Sequence, residues 1–183
     1  MKMQMTINNI TIQWDPLETS ADELPEGEIT SLRIAEGDDG ETALFDDFVA
    51  KNVRSFGRQD LDAVEEIAAY THDYQYAAVA FLLEHRGSTT LSDVVDDAGD
   101  VILHRGTAAD WATSWLEEQA DCVKALLPTY MDGYMKKSVV EFIDELLRYA
   151  SADDYGRDAG FNGEIYEFDF AGETWTCTNP NEH

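Results

Sequence analysis

The chain has 183 residues, and its 38 Asp and Glu against 12 Lys and Arg give a formal net charge of −26 at pH 7, where most small soluble domains stay within about −8 to +8. That charge excludes direct binding to nucleic acid, whose phosphates it repels. A hydrophobic content of 44% with 11% aromatics excludes a disordered acidic tail, because it supplies the apolar surface for a core. Residues 1–58 read as a β-rich start. MTINNITIQW alternates until Asp15-Pro16 breaks it, and further short strands are expected near Ile29–Ile34 and Ala43–Val49. DELPEGE, EGDDGE and RSFGR, between and after these strands, carry turn chemistry.

From Asp60 the period becomes helical. DLDAVEEIAAYTHDY, Asp60 to Tyr74, places Leu61, Val64, Ile67 and Ala68 on one side. A second helix is expected over about Asp73–His85, with Ala77, Ala78, Phe81 and Leu82 as its stripe and Arg86-Gly87 as its end. Thr90, three residues before Asp93, caps a short third helix that stops at Gly99. DVILH reads as a brief strand. Thr107 with Asp110 then caps a fourth helix through about Asp121, burying Trp111, Ala112, Trp115 and Leu116. Pro128 opens a short helical turn in LPTYMDGY. VVEFIDELLRYA follows as a sixth helix presenting Val139, Phe142, Ile143, Leu146 and Leu147. GEIYEFDF and ETWTC alternate, joined by Ala171-Gly172 as a tight hairpin.

The pattern as a whole predicts an α+β fold: an elongated row of small α/β modules with short antiparallel strands and about six helices. Three modules are expected, namely a β-rich module over 1–58, an acidic helical module over 59–105 and a C-terminal α+β module over 106–183. The N-terminal MKMQMTINNITIQW has neither a sustained apolar run nor a small-residue cleavage site, and no later window approaches a membrane span. The expected location is the cytoplasm, with no membrane contact.

No catalytic constellation emerges. Cys122 and Cys177 lie in no C-x-x-C pattern and are expected as buried free thiols. None of His72, His85, His104 and His183 pairs with another at metal spacing. Adjacent carboxylates recur at Asp38-Asp39, Asp46-Asp47, Asp96-Asp97 and Asp153-Asp154, but neighbours in sequence point apart, which favours a solvated acidic surface over an acid-base pair. DDYGRDAGFNGE, Asp153 to Glu164, has the length of a calcium loop and fails at its ligands, with Tyr155, Arg157 and Asp158 at the third, fifth and sixth positions. Gly-rich phosphate loops, G-x-S-x-G elbows and H-E-x-x-H are absent from the sequence. The expectation is a protein that is not an enzyme and needs no cofactor or metal.

What remains is the layout of charge. Asp60 to Asp100 holds ten acids against Arg86 alone, and the helix that opens it carries Asp62, Glu65, Glu66 and Asp73 with no basic residue. Like charges on a helix destabilise it, so the repulsion needs a reason. Duplex DNA carries about one negative charge per 1.7 Å, so the chain's charge equals that of about 44 Å of duplex, or about 13 base pairs. A protein so built attracts basic grooves that grip DNA. Salt adaptation, in which concentrated cations screen an acidic surface, predicts the same composition.

The order of motifs over about residues 44–170 resembles the ArdA antirestriction family of DNA mimics. LFDDF, Leu44 to Phe48, looks like that family's strand with an aspartate before an aromatic, and LDAVEEIAAY follows as the helical pair. DVILHRGTAADWATSWLEE, Asp100 to Glu118, is similar to its acidic strand-to-helix passage. LLPTYMDGYMKKSVVEF resembles its Y-x-D-Y segment with Gly133 as one extra residue, and GEIYEFDF closes in the corresponding place. The family's aromatic, Gly-containing first strand is not recognisable in Met1–Pro16. The resemblance implies a bent, elongated homodimer, joined through its C-terminal part, that blocks the DNA-binding groove of type I restriction-modification enzymes. An acidic inhibitor of another nucleic-acid machine, such as a CRISPR effector, would need the same surface.

The residues expected to imitate phosphates are Asp62, Glu65, Glu66, Asp73, Asp93, Asp96, Asp97, Glu117, Glu118 and Asp121. The expected dimer interface is Val139, Phe142, Ile143 and Leu146, because Lys136, Lys137 and Arg148 locally relieve the negative charge there. The alternative is that this stripe packs inside its own domain.

Overall fold

A computed structural model describes residues 2–16, 18–36, 39–52, 57–87 and 90–183. Among them are seven α-helices and two three-stranded antiparallel sheets, an α+β fold. The chain divides into two compact units: residues 1–103 with 169–173 and His183, and residues 104–168 with 174–182.

The first unit opens on a hairpin, β1 (Lys2–Ile7) and β2 (Ile10–Trp14), with Thr6 opposite Thr11. Its turn residues Asn8 and Asn9 both hold positive φ, 51° and 66°. Two such residues give a turn whose twist matches the strands, and asparagine tolerates that conformation better than most residues. β3 (Ile29–Glu36) pairs antiparallel with β1 on its other side, Met5 opposite Leu32, giving the order β2-β1-β3. Met3, Met5, Ile7, Ile29, Leu32 and Ile34 face the core, as a period of two requires.

The expected strand over Ala43–Val49 is instead part of helix α1 (Asp39–Asn52). Phe45, Phe48 and Val49 are its buried residues. They lie at helical spacing, and a strand burying Phe45 and Val49 would have turned Asp47 inward with them. LFDDF is therefore helical and not a strand.

The stretch Asp60–Tyr74 is not one helix. α2 (Leu61–Ala68) and α3 (Asp73–Arg86) are separate. The Gln75 side-chain oxygen accepts from the backbone N–H groups of Thr71 and His72, each at 3.3 Å, and so caps the start of α3. Leu61, Val64, Ile67 and Ala68 are buried, as is the whole of Tyr76–Leu82. Gly87, at φ 70°, ends α3. Thr90 accepts from the Asp93 N–H at 3.2 Å to cap α4 (Leu91–Asp97).

Asp60, one of the ten acids counted between Asp60 and Asp100, is only 4% exposed. Its carboxylate accepts from the N–H of Gly57 at 2.7 Å, the amide of Gln59 at 3.1 Å and the N–H of Leu91 at 3.4 Å. It ties the entry of α2 to the first residue of α4, because a buried carboxylate is tolerated only where donors surround it.

The second unit is built around α5 (Ala108–Ala125), α6 (Gly133–Tyr149) and α7 (Ala152–Phe161). Thr107 and Asp110 form the expected capping box on α5. Pro128 begins a turn rather than a helix, and α6 starts at Gly133, six residues before the expected VVEF, with Asp132 accepting from the Tyr134 N–H at 3.1 Å. α7 occupies the segment tested above as a calcium loop, and Ser151 caps it by accepting from the Asp154 N–H at 3.2 Å. The hairpin of β5 (Tyr166–Phe170) and β6 (Glu173–Cys177) turns through Ala171 and Gly172 at φ 52° and 78°, and β4 (Leu103–Arg105) lies beside β6.

Of the expected core of α5 only Ala112 is buried, and Trp111, Trp115 and Leu116 are half-buried. The Tyr155 ring stacks on Trp115 at 4.9 Å and on Trp111 at 6.0 Å, so the aromatic stripe meets α7 and remains partly in solvent. Cys177 is buried and burial pushes its thiol up to about 11, but Cys122 is exposed on α5, against expectation.

Candidate partner-binding face

In the first unit the acidic helices are amphipathic in the sense that matters: their apolar positions close the core, which leaves their carboxylates outside. Asp62, Glu66, Asp93 and Asp96 are exposed, and Glu65 is half-exposed. None of these five has a cationic partner among the described residues. Asp73 stands at the first position of α3, where its carboxylate accepts from the Tyr74 N–H at 2.8 Å and meets the positive end of the helix dipole. Asp97 is held 2.5 Å from the Arg86 guanidinium and is partly neutralised. The pair Asp96-Asp97 thus diverges, one paired and one open, which is not the geometry of an acid-base dyad.

The second unit carries the other three expected residues on α5. Glu117 and Glu118 are exposed. Asp121 lies 3.2 Å from Lys124, whose ammonium also reaches Asp144 at 2.7 Å. Hydrogen bonds to these two carboxylates, Asp144 first, raise the Lys124 pKa above its ordinary value. Arg157 is likewise taken up, by Asp154 at 2.8 Å and Asp158 at 3.5 Å.

Cavities in the first unit include two that carry expected site residues. The larger, of about 600 Å³, is lined by Ser20, Asp22, Glu26, Arg58 and Asp62 among others. Arg58 fills the role of cation there: it donates to the carbonyls of Ala21 and Asp22 and lies 3.5 Å and 3.9 Å from the Asp22 and Glu26 carboxylates. The smaller, of about 380 Å³, is lined by Glu66, Tyr70, Tyr74, Gln75, Val95, Asp96, Ala98 and Gly99. Tyr70 and Tyr74 lie either side of the break between α2 and α3, and their convergence depends on how the two helices pack, which the sequence pattern does not encode.

The four residues of the expected dimer stripe lie on one helix, α6, none of whose residues is fully buried. Phe142 is 59% and Leu146 is 53% exposed, with Val139 and Ile143 half-buried. Part of the stripe faces its own unit: Ile143, Leu146 and Leu147 form one wall of an apolar groove of about 350 Å³ whose other wall is Leu116, Ala120 and Val123 of α5. Leu126, Tyr130, Tyr134 and Tyr149 add exposed apolar area.

Among the described residues no group of three His, Cys, Asp or Glu could hold a metal ion, and no helix is long and apolar enough to cross a membrane. Comparison of the chain with family models, with curated proteins and with solved structures finds no match.

Proposed function

We propose that this protein is a stoichiometric DNA mimic of the cytoplasm that occupies the basic DNA-binding groove of a defence enzyme, and that a type I restriction-modification enzyme is the target. The observation that carries this reading is the outward set Asp62, Glu65, Glu66, Asp93 and Asp96, five carboxylates without cationic partners among the described residues, on two short helices, α2 and α4, whose other sides close one core. A rigid array of uncompensated anions costs stability in isolation and gains it against a groove built to neutralise phosphates. The target class comes from the motif order that resembles the ArdA family. The apolar side of α6 supports association of two copies, which would double the length of duplex imitated.

The test is inhibition of DNA cleavage by a type I restriction enzyme, with capture of that enzyme in the presence and absence of excess duplex DNA. Inhibition at near-equal molar amounts, relieved by duplex, is expected. Changing Asp62, Glu65, Glu66 and Asp73 together to Asn or Gln should weaken binding and flatten its salt dependence, since each lost anion removes about one ionic contact. Inhibition of a CRISPR effector but not of the restriction enzyme would move the target and keep the mimicry. Failure against both, in a protein that melts higher with added salt, would leave salt adaptation as the reason for the charge.

A further inference from the structure

The smaller cavity of the first unit has walls of two kinds. Tyr70 and Tyr74 supply aromatic surface, while Glu66 and Asp96 supply negative charge from two different helices, one near the end of α2 and the other near the end of α4. Neither carboxylate has a cationic partner among the described residues, and no cationic side chain lines the cavity. We propose that this cleft receives an arginine side chain of the protein's basic partner, its guanidinium against the tyrosine rings and its N–H groups on Glu66 and Asp96. The proposal rests on the function proposed above for the identity of the partner, but the cleft's preference for a guanidinium stands on its own chemistry.

Three features favour arginine over a diffuse cloud of cations. The walls are fixed before binding: the Tyr70 ring packs edge-on against buried Tyr76 at 5.5 Å, and the Tyr74 hydroxyl donates to the Val101 carbonyl and accepts from the Leu103 N–H at 3.3 Å. Preformed walls lower the entropy lost on binding. The Tyr70 phenol is neutral at physiological pH as an ordinary tyrosine is, and burial first and the nearby Glu66 charge second push it further up, to about 12. A planar, weakly hydrated guanidinium stacks on an aromatic face while bonding carboxylates in its plane, which a compact ammonium cannot do equally well. The chain already holds one guanidinium among carboxylates, since Arg58 lies 3.5 Å from Asp22 and 3.9 Å from Glu26 in another cavity of the same unit. Arginine anchors in pockets are also the side chains on which interfaces concentrate affinity.

The experiment is an amide NMR titration of the full chain with N-acetyl-arginine amide, and with the lysine counterpart as the second arm. Shifts should centre on Gln75 and Gly99, and arginine should bind about two- to fivefold more tightly than lysine. Glu66→Gln with Asp96→Asn should abolish those shifts, whereas Glu117→Gln with Glu118→Gln, which removes the same charge from α5, should leave them. Tyr70→Phe should retain binding and Tyr70→Leu should weaken it, each variant's own amide spectrum reporting whether it folds. Shifts spread over all acidic helices, equal affinity for the two amides, or equal losses in the two charge pairs would overturn the anchor. The titration needs no partner enzyme, so its outcome separates from that of the inhibition assay: a cleft that binds arginine survives the failure of the restriction target, and inhibition untouched by Glu66→Gln with Asp96→Asn removes the anchor while the mimicry stands.

Discussion

Gly156 of α7 lies directly against the backbone at Ala108 of α5: a Cβ on Gly156 would stand 2.5 Å from the Ala108 carbonyl oxygen and 2.7 Å from its carbonyl carbon. Both atoms are main chain, at the first turn of a capped helix, and cannot swing aside. The absence of a side chain here sets how closely the two helices approach, and with it the stacking of Tyr155 on Trp115.

Gly156→Ala should therefore destabilise the protein by about 1–3 kcal/mol, the usual range for overpacking a tight contact, against the about 1 kcal/mol that alanine normally gains over glycine inside a helix. Gly160, in the same helix, has nothing within 4 Å of such a Cβ. Gly160→Ala should stabilise by up to about 1 kcal/mol. Denaturant unfolding of the pair checks the claim, and equal effects from both would mean that the contact between α5 and α7 is loose.

Much of this fold was legible because caps and apolar spacing agree. Thr90, Thr107 and the Ala171-Gly172 turn all sit where the sequence puts them, and Leu61, Val64, Ile67 and Ala68 face inward as their spacing requires. The failures have physical causes. ALFDDFV is apolar, short and flanked by turn residues, and period alone does not separate strand from helix in so brief a run. α7 was missed although Ser151 and Asp154 spell its cap, because its two glycines and four charges suppress the apolar period. For the site, the acids on each helix were readable, but the Tyr70–Tyr74 cleft and the burial of Asp60 depend on how separate helices converge, which no single period encodes.

Asp60 and Asp62 should behave oppositely although they are two residues apart. Asp60→Ala strands the N–H groups of Gly57 and Leu91 in a buried place, at a cost of about 2–4 kcal/mol by the penalty for removing a charged acceptor from buried donors. Asp62→Asn, at an exposed position with other acids nearby, should change stability by less than about 0.5 kcal/mol and in the favourable direction, because it relieves repulsion. Thermal melts at low salt measure both. A mild Asp60→Ala would mean that water replaces the carboxylate.

The cap of α5 links stability to pH. The Thr107 hydroxyl and N–H both donate to the Asp110 carboxylate, at 2.7 Å and 2.9 Å, and hold its carboxyl below the usual range. A depressed acid contributes its stability above its unfolded pKa of about 3.9 and loses it as pH falls through the lower folded value. Thr107→Ala should cost about 1 kcal/mol at neutral pH, typical of a lost cap. The gap between wild type and variant should stay constant from pH 7 to about 5 and shrink below about pH 4. It should not vanish, since the Thr107 hydroxyl also accepts from the Asp110 N–H at 3.2 Å. Urea unfolding at a series of pH values reads this directly, and a gap independent of pH down to 2.5 would remove Asp110 from the cap's energetics.

Association of two copies is the last outcome to test, and it turns on where so acidic a chain can approach itself. Two bodies of charge −26 repel everywhere except where cations are concentrated and apolar area is available. α6 meets both conditions: Lys136, Lys137 and Arg148 flank Phe142 and Leu146, which are more than half exposed, and the groove against α5 leaves Ile143 and Val123 uncovered on one side. Burying such a face against its own symmetry mate satisfies every copy at once, as closed two-fold pairing requires. Light scattering at micromolar concentration and physiological salt should give twice the 20.5 kDa chain mass, and the dimer fraction should fall as salt is lowered and the repulsion between copies is unscreened. Phe142→Asp should yield a folded monomer, since Phe142 contributes to no buried core. A monomer in the wild type would refute self-association, and a dimer that survives Phe142→Asp would place its interface away from α6.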